Sequence, residues 1–80
     1  MVARTLRDRV VGVIVGHFGV DFRAITDDTN FVETFNPDDL DAIELILDLE
    51  ETFEIDIPDG DLEKPETVGD VIKYIEGRIA

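Results

Sequence analysis

The stretch from Asp38 to Phe53 constrains the fold more than any other part of the chain. It follows the break at Asn36-Pro37, and its apolar residues recur at the spacing of an α-helix. Leu45, Ile46, Leu49 and Phe53 stand at i, i+1, i+4 and i+8 and form one wide apolar face suited to a core. Leu40, Ile43 and Leu47 stand at i, i+3 and i+7 on a different side, among Asp41, Glu44, Asp48 and Glu51. Asp38 is placed to cap the helix, and the acids of its first turn complement the helix dipole. Dipole stabilisation of ~0.3–1 kcal/mol per acid explains Asp38, Asp39 and Asp41 as structural residues. It does not explain why three aliphatic side chains are left in an acidic field, so this second face is read as a docking surface.

Two further helices follow from periodicity. Thr5 with Asp8 forms a capping pair, Leu6, Val10, Val13, Ile14 and Phe18 continue at helical spacing, and Gly19 ends the run. The β-branched content of Val10 to Val15 alone would suit a strand, but the capping signal and the continuation to Phe18 favour a helix. Near the other end, Thr67 with Asp70 opens a helix whose stripe is Val68, Val71, Ile72, Ile75 and Ile79. Between Val20 and Pro37 no period is sustained, and Thr26 to Asn30 are turn formers, so a long loop is expected there. Such a loop must be pinned, and Phe22, Ile25, Phe31, Val32 and Phe35 are the apolar residues available to do it. Residues 59–64, between Pro58 and Pro65, could hold one short helix. The predicted fold is all-α: a small bundle of three main helices and one short one with a long first loop, forming a single domain over residues 1–80.

Composition narrows the function. A chain of 80 residues buries a modest core, about 60% of the surface exposed on unfolding, which argues against a deep enzyme cleft. With no cysteine there is no disulfide framework, thiolate zinc site or cysteine nucleophile. Twenty acids against seven bases give a net charge of −13, which excludes phosphate-backbone recognition of nucleic acid and points to a basic partner. The charge is also uneven: between Arg23 and Lys64 there are fifteen acids and no base. The apolar run Val10 to Gly16 is far short of the ~20 residues of a membrane span, and the start does not resemble a signal peptide. A cytoplasmic, monomeric protein without membrane insertion is expected.

Catalytic signals are thin. His17, the only histidine, lies late in the first helix with no serine or cysteine to activate, and is read as a residue facing the helix C-terminal dipole. Asp56, Asp59 and Asp61 lack the glycine-containing pattern of a calcium loop, so no specific metal site is expected. The abundant carboxylates have no cleft to shift their titration and are read as charges, not as catalysts.

The order of these features resembles the acyl carrier protein family. The resemblance rests on Thr29-Asn30-Phe31-Val32-Glu33, the helix from Asp38 to Glu51, the stretch from Glu50 through Ile57-Pro58-Asp59, and the final helix after Thr67-Val68. It implies a carrier of acyl intermediates for fatty acid or related lipid and polyketide synthesis, recognised by acyl-handling enzymes and a phosphopantetheinyl transferase. Such carriers hold 4′-phosphopantetheine on a serine at the start of the second main helix, within Asp-Ser-Leu. This chain has Asp38-Asp39-Leu40 there, and it contains no serine anywhere. By position, Asp39 marks the attachment site, and no prosthetic group can be attached to the chain as written. Thr34 lacks the flanking motif. Carried over in the same way, Asp38, Leu40, Asp41, Ile43, Glu44, Leu47, Asp48 and Glu51 face partners. Leu62 and Pro65 depart from the smaller and the aliphatic residues usual in the family, and both fall near the cavity where acyl chains are sheltered, so sheltering of an acyl chain is not expected here even with the serine restored. Asp39 is either an engineered change or a natural loss; in the second case the chain is an arm-free adaptor or regulator. An aminoacyl or peptidyl carrier is the further alternative.

Overall fold

The computed structural model describes residues 5–58, 60–62 and 66–79. It contains four α-helices in chain order, α1 (Leu6–Phe18), α2 (Phe31–Phe35), α3 (Asp39–Phe53) and α4 (Val68–Ile79), with a 3₁₀ turn at Phe22–Ala24 before α2. Among the described residues there is no strand, only an isolated antiparallel bridge between Asn30 and Thr67.

Helix boundaries follow the capping chemistry. Thr5 Oγ1 accepts a hydrogen bond from the Asp8 amide at 3.1 Å, and Gly19 closes α1 in the left-handed conformation at φ 70°, where a side chain would be strained. Thr67 Oγ1 accepts from the Asp70 amide at 3.2 Å, while Asp70 Oδ2 accepts in return from the Thr67 amide at 3.1 Å. Four α-helices are present as expected, but the short one is not where the sequence suggested. Residues 60–62 form a turn and bend, and the rest of that stretch lies outside the described residues, apart from Pro58. The short helix is α2, inside the segment read as loop. Its five residues span too little chain to show a period, and local bonds define it: Asn30 Oδ1 accepts from the Glu33 amide at 2.9 Å, and the Phe31 amide donates to the Glu66 carbonyl at 2.9 Å.

The core is one cluster beneath α1, α3 and α4, with Val10, Val11 and Ile14 of α1, Leu45, Leu49 and Phe53 of α3, and Val68, Val71, Ile72 and Ile75 of α4. Ile25, Phe31, Ile57 and Leu62 close it from the connecting segments, and Ile46 and Phe35 pack against it. Two expected pins are not core residues: Phe22 and Val32 are exposed, because the 3₁₀ turn and the single turn of α2 direct only one side of each segment inward. Ile79, at the last turn of α4, is exposed as well.

Backbone bonds fasten the start of α4 to the segment ahead of α2. The Val68 amide donates to the Thr29 carbonyl at 2.9 Å and the Gly69 amide to the Asp27 carbonyl at 2.8 Å. The approach at Gly69 is tight: a Cβ there would meet the Asp27 carbonyl oxygen at 3.0 Å, so a side chain would force the backbone to give.

Candidate functional site

The site is built on the first turn and the outer faces of α3. Asp38 caps the helix with Oδ1 accepting from the Asp41 amide at 2.8 Å, and Asp41 Oδ2 accepts from the Asp38 amide at 3.2 Å, closing a capping box. Asp39 is thereby the first helical residue, exposed at the end of α3 where unpaired amides and the positive end of the dipole favour negative charge.

Beside this end lies a cavity of about 780 Å³, within the size range of small-molecule pockets. Phe31, Leu45, Ile46, Leu49, Leu62 and Val71 supply its apolar lining, and Asp38 and Asp39 are part of its wall. Leu62 is buried in that wall, as its place near the expected cavity implied, but it does not abolish the space; Pro65 lies outside the described residues. Phe18 and Phe35 stack at 4.5 Å between centroids, and Phe31 meets Phe35 edge-on at 5.4 Å, which ties α2 to α1 over the same region.

Around its axis α3 divides into three. Leu45, Leu49 and Phe53 face the core; Leu40, Ile43 and Leu47 are 62%, 56% and 52% exposed. Glu44, Asp48 and Glu51 are exposed beside them, while Asp41 is half-buried. The sequence placed Asp41 and Asp48 toward partners but did not reveal what lies behind them. His17 of α1 does: Nε2 is 3.5 Å from Asp41 Oδ1 and Nδ1 is 3.7 Å from Asp48 Oδ2, with 9% of its side chain exposed. His17 does lie in the last turn of α1, as the dipole reading placed it, and it also faces α3; no sequence signal joins residues this far apart, and only the packing of α1 on α3 reveals that contact. Arg9 fixes the other end of that packing, donating to the Thr52 carbonyl at 3.1 Å with its guanidinium 4.6 Å over the Phe53 ring.

Beyond α3, Glu50 Oε2 accepts from the Ile57 amide at 2.8 Å, and the Tyr74 hydroxyl donates to Asp61 Oδ2 at 2.6 Å. Partial burial, together with that hydrogen bond and the Asp61 charge, raises the Tyr74 phenol above its ordinary value. No grouping of His, Asp and Glu among the described residues is arranged to hold a metal ion.

Comparison with known proteins decides the family. The family described as phosphopantetheine attachment site matches residues 8–75, most of the chain. The acyl carrier protein of Chlamydia felis (strain Fe/C-56) is 46% identical over 74 residues, 92% of this chain and 95% of that one. The chain belongs to the acyl carrier protein family. Structural likeness agrees with this assignment. The solution structure of an Anaplasma phagocytophilum chain described as an acyl carrier protein superposes with a TM-score of 0.78 at 34% identity, covering 96% of this chain and 91% of that one. The acyl carrier protein of Enterococcus faecalis gives 0.75 at 34% identity, covering 91% and 92%. Acyl carrier proteins carry acyl groups on phosphopantetheine, interact with acyl-handling enzymes and are carriers, not catalysts. No helix among the described residues is long and apolar enough to cross a membrane.

Proposed function

We propose that this acyl carrier protein is a docking-competent carrier scaffold that lacks its attachment atom at Asp39. A phosphodiester to a side chain needs a hydroxyl, and Asp39 offers a carboxylate whose charge also repels phosphate. The exposed first turn of α3 supports Asp39 as the attachment position, because capped helix N-termini receive phosphates. With a hydroxyl there, 4′-phosphopantetheine would sit at the mouth of an apolar cavity suited to an acyl chain. As written, the chain holds no prosthetic group.

The observation that carries the docking reading is the exposure of Leu40, Ile43 and Leu47 beside Glu44, Asp48 and Glu51. Three aliphatic side chains in an acidic row match a partner surface whose basic residues surround an apolar patch. Asp38 and Asp41 extend the acidic row to the helix end. Such partners are acyl-handling enzymes and a phosphopantetheinyl transferase, met by a cytoplasmic monomer. The same surface equally serves an arm-free adaptor, and Asp39 is the observation that favours this second reading.

Intact mass after incubation with coenzyme A and a broad-specificity phosphopantetheinyl transferase separates the two. The Asp39→Ser chain should gain one phosphopantetheine and the unaltered chain none. Glu44→Lys and Asp48→Lys, placed in the Asp39→Ser background, should slow the gain about tenfold or more while leaving the fold intact. If Asp39→Ser gains nothing, the carrier reading fails and the adaptor reading stands. Modification of the unaltered chain would refute the role given to Asp39.

A further inference from the structure

The connection from α3 to α4 puts one aliphatic side chain into the cavity. Leu62, 8% exposed, stands in the wall with Leu45 and Leu49 of α3 and Val71 of α4. Unlike those three, Leu62 belongs to no helix, so no ladder of backbone bonds fixes how deep it sits. Burial draws a leucine inward but is non-directional. A chain entering the cavity would therefore press Leu62 back unless the backbone beside it were held.

One side chain of α4 supplies that hold. The Tyr74 hydroxyl donates to Asp61 Oδ2 at 2.6 Å, the length of a charge-assisted bond, and Asp61 immediately precedes Leu62. The Asp61 amide donates to the Pro58 carbonyl at 3.1 Å, so the residue is fixed through its backbone and its side chain together. Tyr74 is itself half-buried and packed against the core, which makes it a firm anchor. Asp61 is exposed, so the bond matters by where it holds the chain and not by what it buries. Arg78 also grips the connection, donating to the Asp56 carbonyl at 2.6 Å, but it acts at the far end from Leu62.

We infer that Tyr74 is a positioning residue of the cavity: through Asp61 it fixes the depth of Leu62 and thereby limits the length of straight acyl chain that is sheltered. The inference rests on the carrier reading above for its occupant, whereas the placement of Leu62 is a property of the unaltered chain.

Two measurements test it. In the unaltered background, the Leu62 methyl resonances should move in Tyr74→Phe, which removes only the hydroxyl, and should move alike in Asp61→Ala. The double variant should add nothing, because both changes delete the same bond. The Asp39→Ser chain is then loaded from acyl coenzyme A by the broad-specificity transferase, with straight acyl groups that lengthen two carbons at a time. Its Tm should rise by about 3–6 °C for each methylene sheltered and stop rising where the cavity ends. Tyr74→Phe should move that end by one or more steps toward longer chains. Thr5→Ala, which uncaps α1, should lower every Tm and leave the end where it was, as a merely structural Tyr74 would. Leu62 methyls that stay in place in Tyr74→Phe, or an end of the series that does not move, overturn the inference and leave the carrier reading intact. If Asp39→Ser takes up no arm, the carrier reading fails and the length limit falls with it, while the Leu62 resonances still decide what Tyr74 positions.

Discussion

Removing the cap of α3 should cost more than its exposed position suggests, and the size of the loss can be worked from the contacts. Asp38→Ala deletes the acceptor at 2.8 Å from the Asp41 amide and leaves the reciprocal bond, donated by the residue-38 amide to Asp41 Oδ2, unsupported. Loss of such a cap costs about 1 kcal/mol within a range of 0.5–2. The lost charge at the helix N-terminus adds ~0.3–1 kcal/mol, at the lower end here because Asp39 and Asp41 remain in the same turn and water screens all three. The expected total is about 1–1.5 kcal/mol, a fall of about 4–12 °C in Tm for a domain of this size. Thermal unfolding followed by circular dichroism reads it, with Asp38→Asn as the discriminating variant. Asparagine caps as well as aspartate, so only the charge contribution should be lost, and 0.5 M sodium chloride should erase most of that difference. An Asp38→Ala chain melting within 1 °C of the unaltered one, or Asp38→Asn as damaging as Asp38→Ala, would refute the capping argument.

The two faces of α3 should separate cleanly in urea: Leu49→Ala, emptying a site that is 1% exposed, should cost about 2–5 kcal/mol, whereas Leu47→Ala should cost less than about 0.5. Equal losses would mean that Leu47 is buried in solution. Tyr74 is a raised phenol, so its share of stability is complete below the ordinary phenol range and disappears as pH rises through the folded value; the phenolate absorbance should therefore appear at higher pH than in Asp61→Asn. Coincident titrations would show that Asp61 does not act on Tyr74. Magnesium should raise the Tm above that in sodium chloride of equal ionic strength, because a net charge of −13 is relieved more strongly by divalent ions; identical curves would count against self-repulsion as a destabilising force.

The legible parts of this fold were those written in local chemistry. Thr5 and Thr67 sit one residue ahead of a periodic apolar run and Asp38 two, and each caps the helix it was expected to cap. The illegible parts were those fixed by contacts between distant residues. Helix α2 owes its place to Asn30 and to the Phe31 bond to Glu66, and five residues carry no period to announce it. Phe22 and Val32 looked like core residues because apolar character alone does not say which side of a single turn faces inward. His17 showed the same limit at the candidate site: its neighbours on α1 gave a dipole role, while its actual neighbours, Asp41 and Asp48, lie on another helix.

That last contact changes how the acidic face of α3 is to be understood. An acid read only from sequence is a charge offered to a partner, but Asp41 spends one oxygen on the Asp38 amide and turns the other toward His17. Its share of docking energy is therefore limited, because a basic partner must compete with the amide bond it accepts and with the imidazole it faces. Glu44 and Glu51 face no such competitor among the contacts found, and Asp48 has only one oxygen against the imidazole. The acids of α3 thus fall into a structural member near the helix start and freer members farther along. Charge reversal at Glu44 or Asp48 should reduce docking without loss of fold, whereas reversal at Asp41 should lower stability and docking together. A chain carrying Asp41→Lys that melts like the unaltered protein would show that the cap and the histidine contact do not hold Asp41 in place.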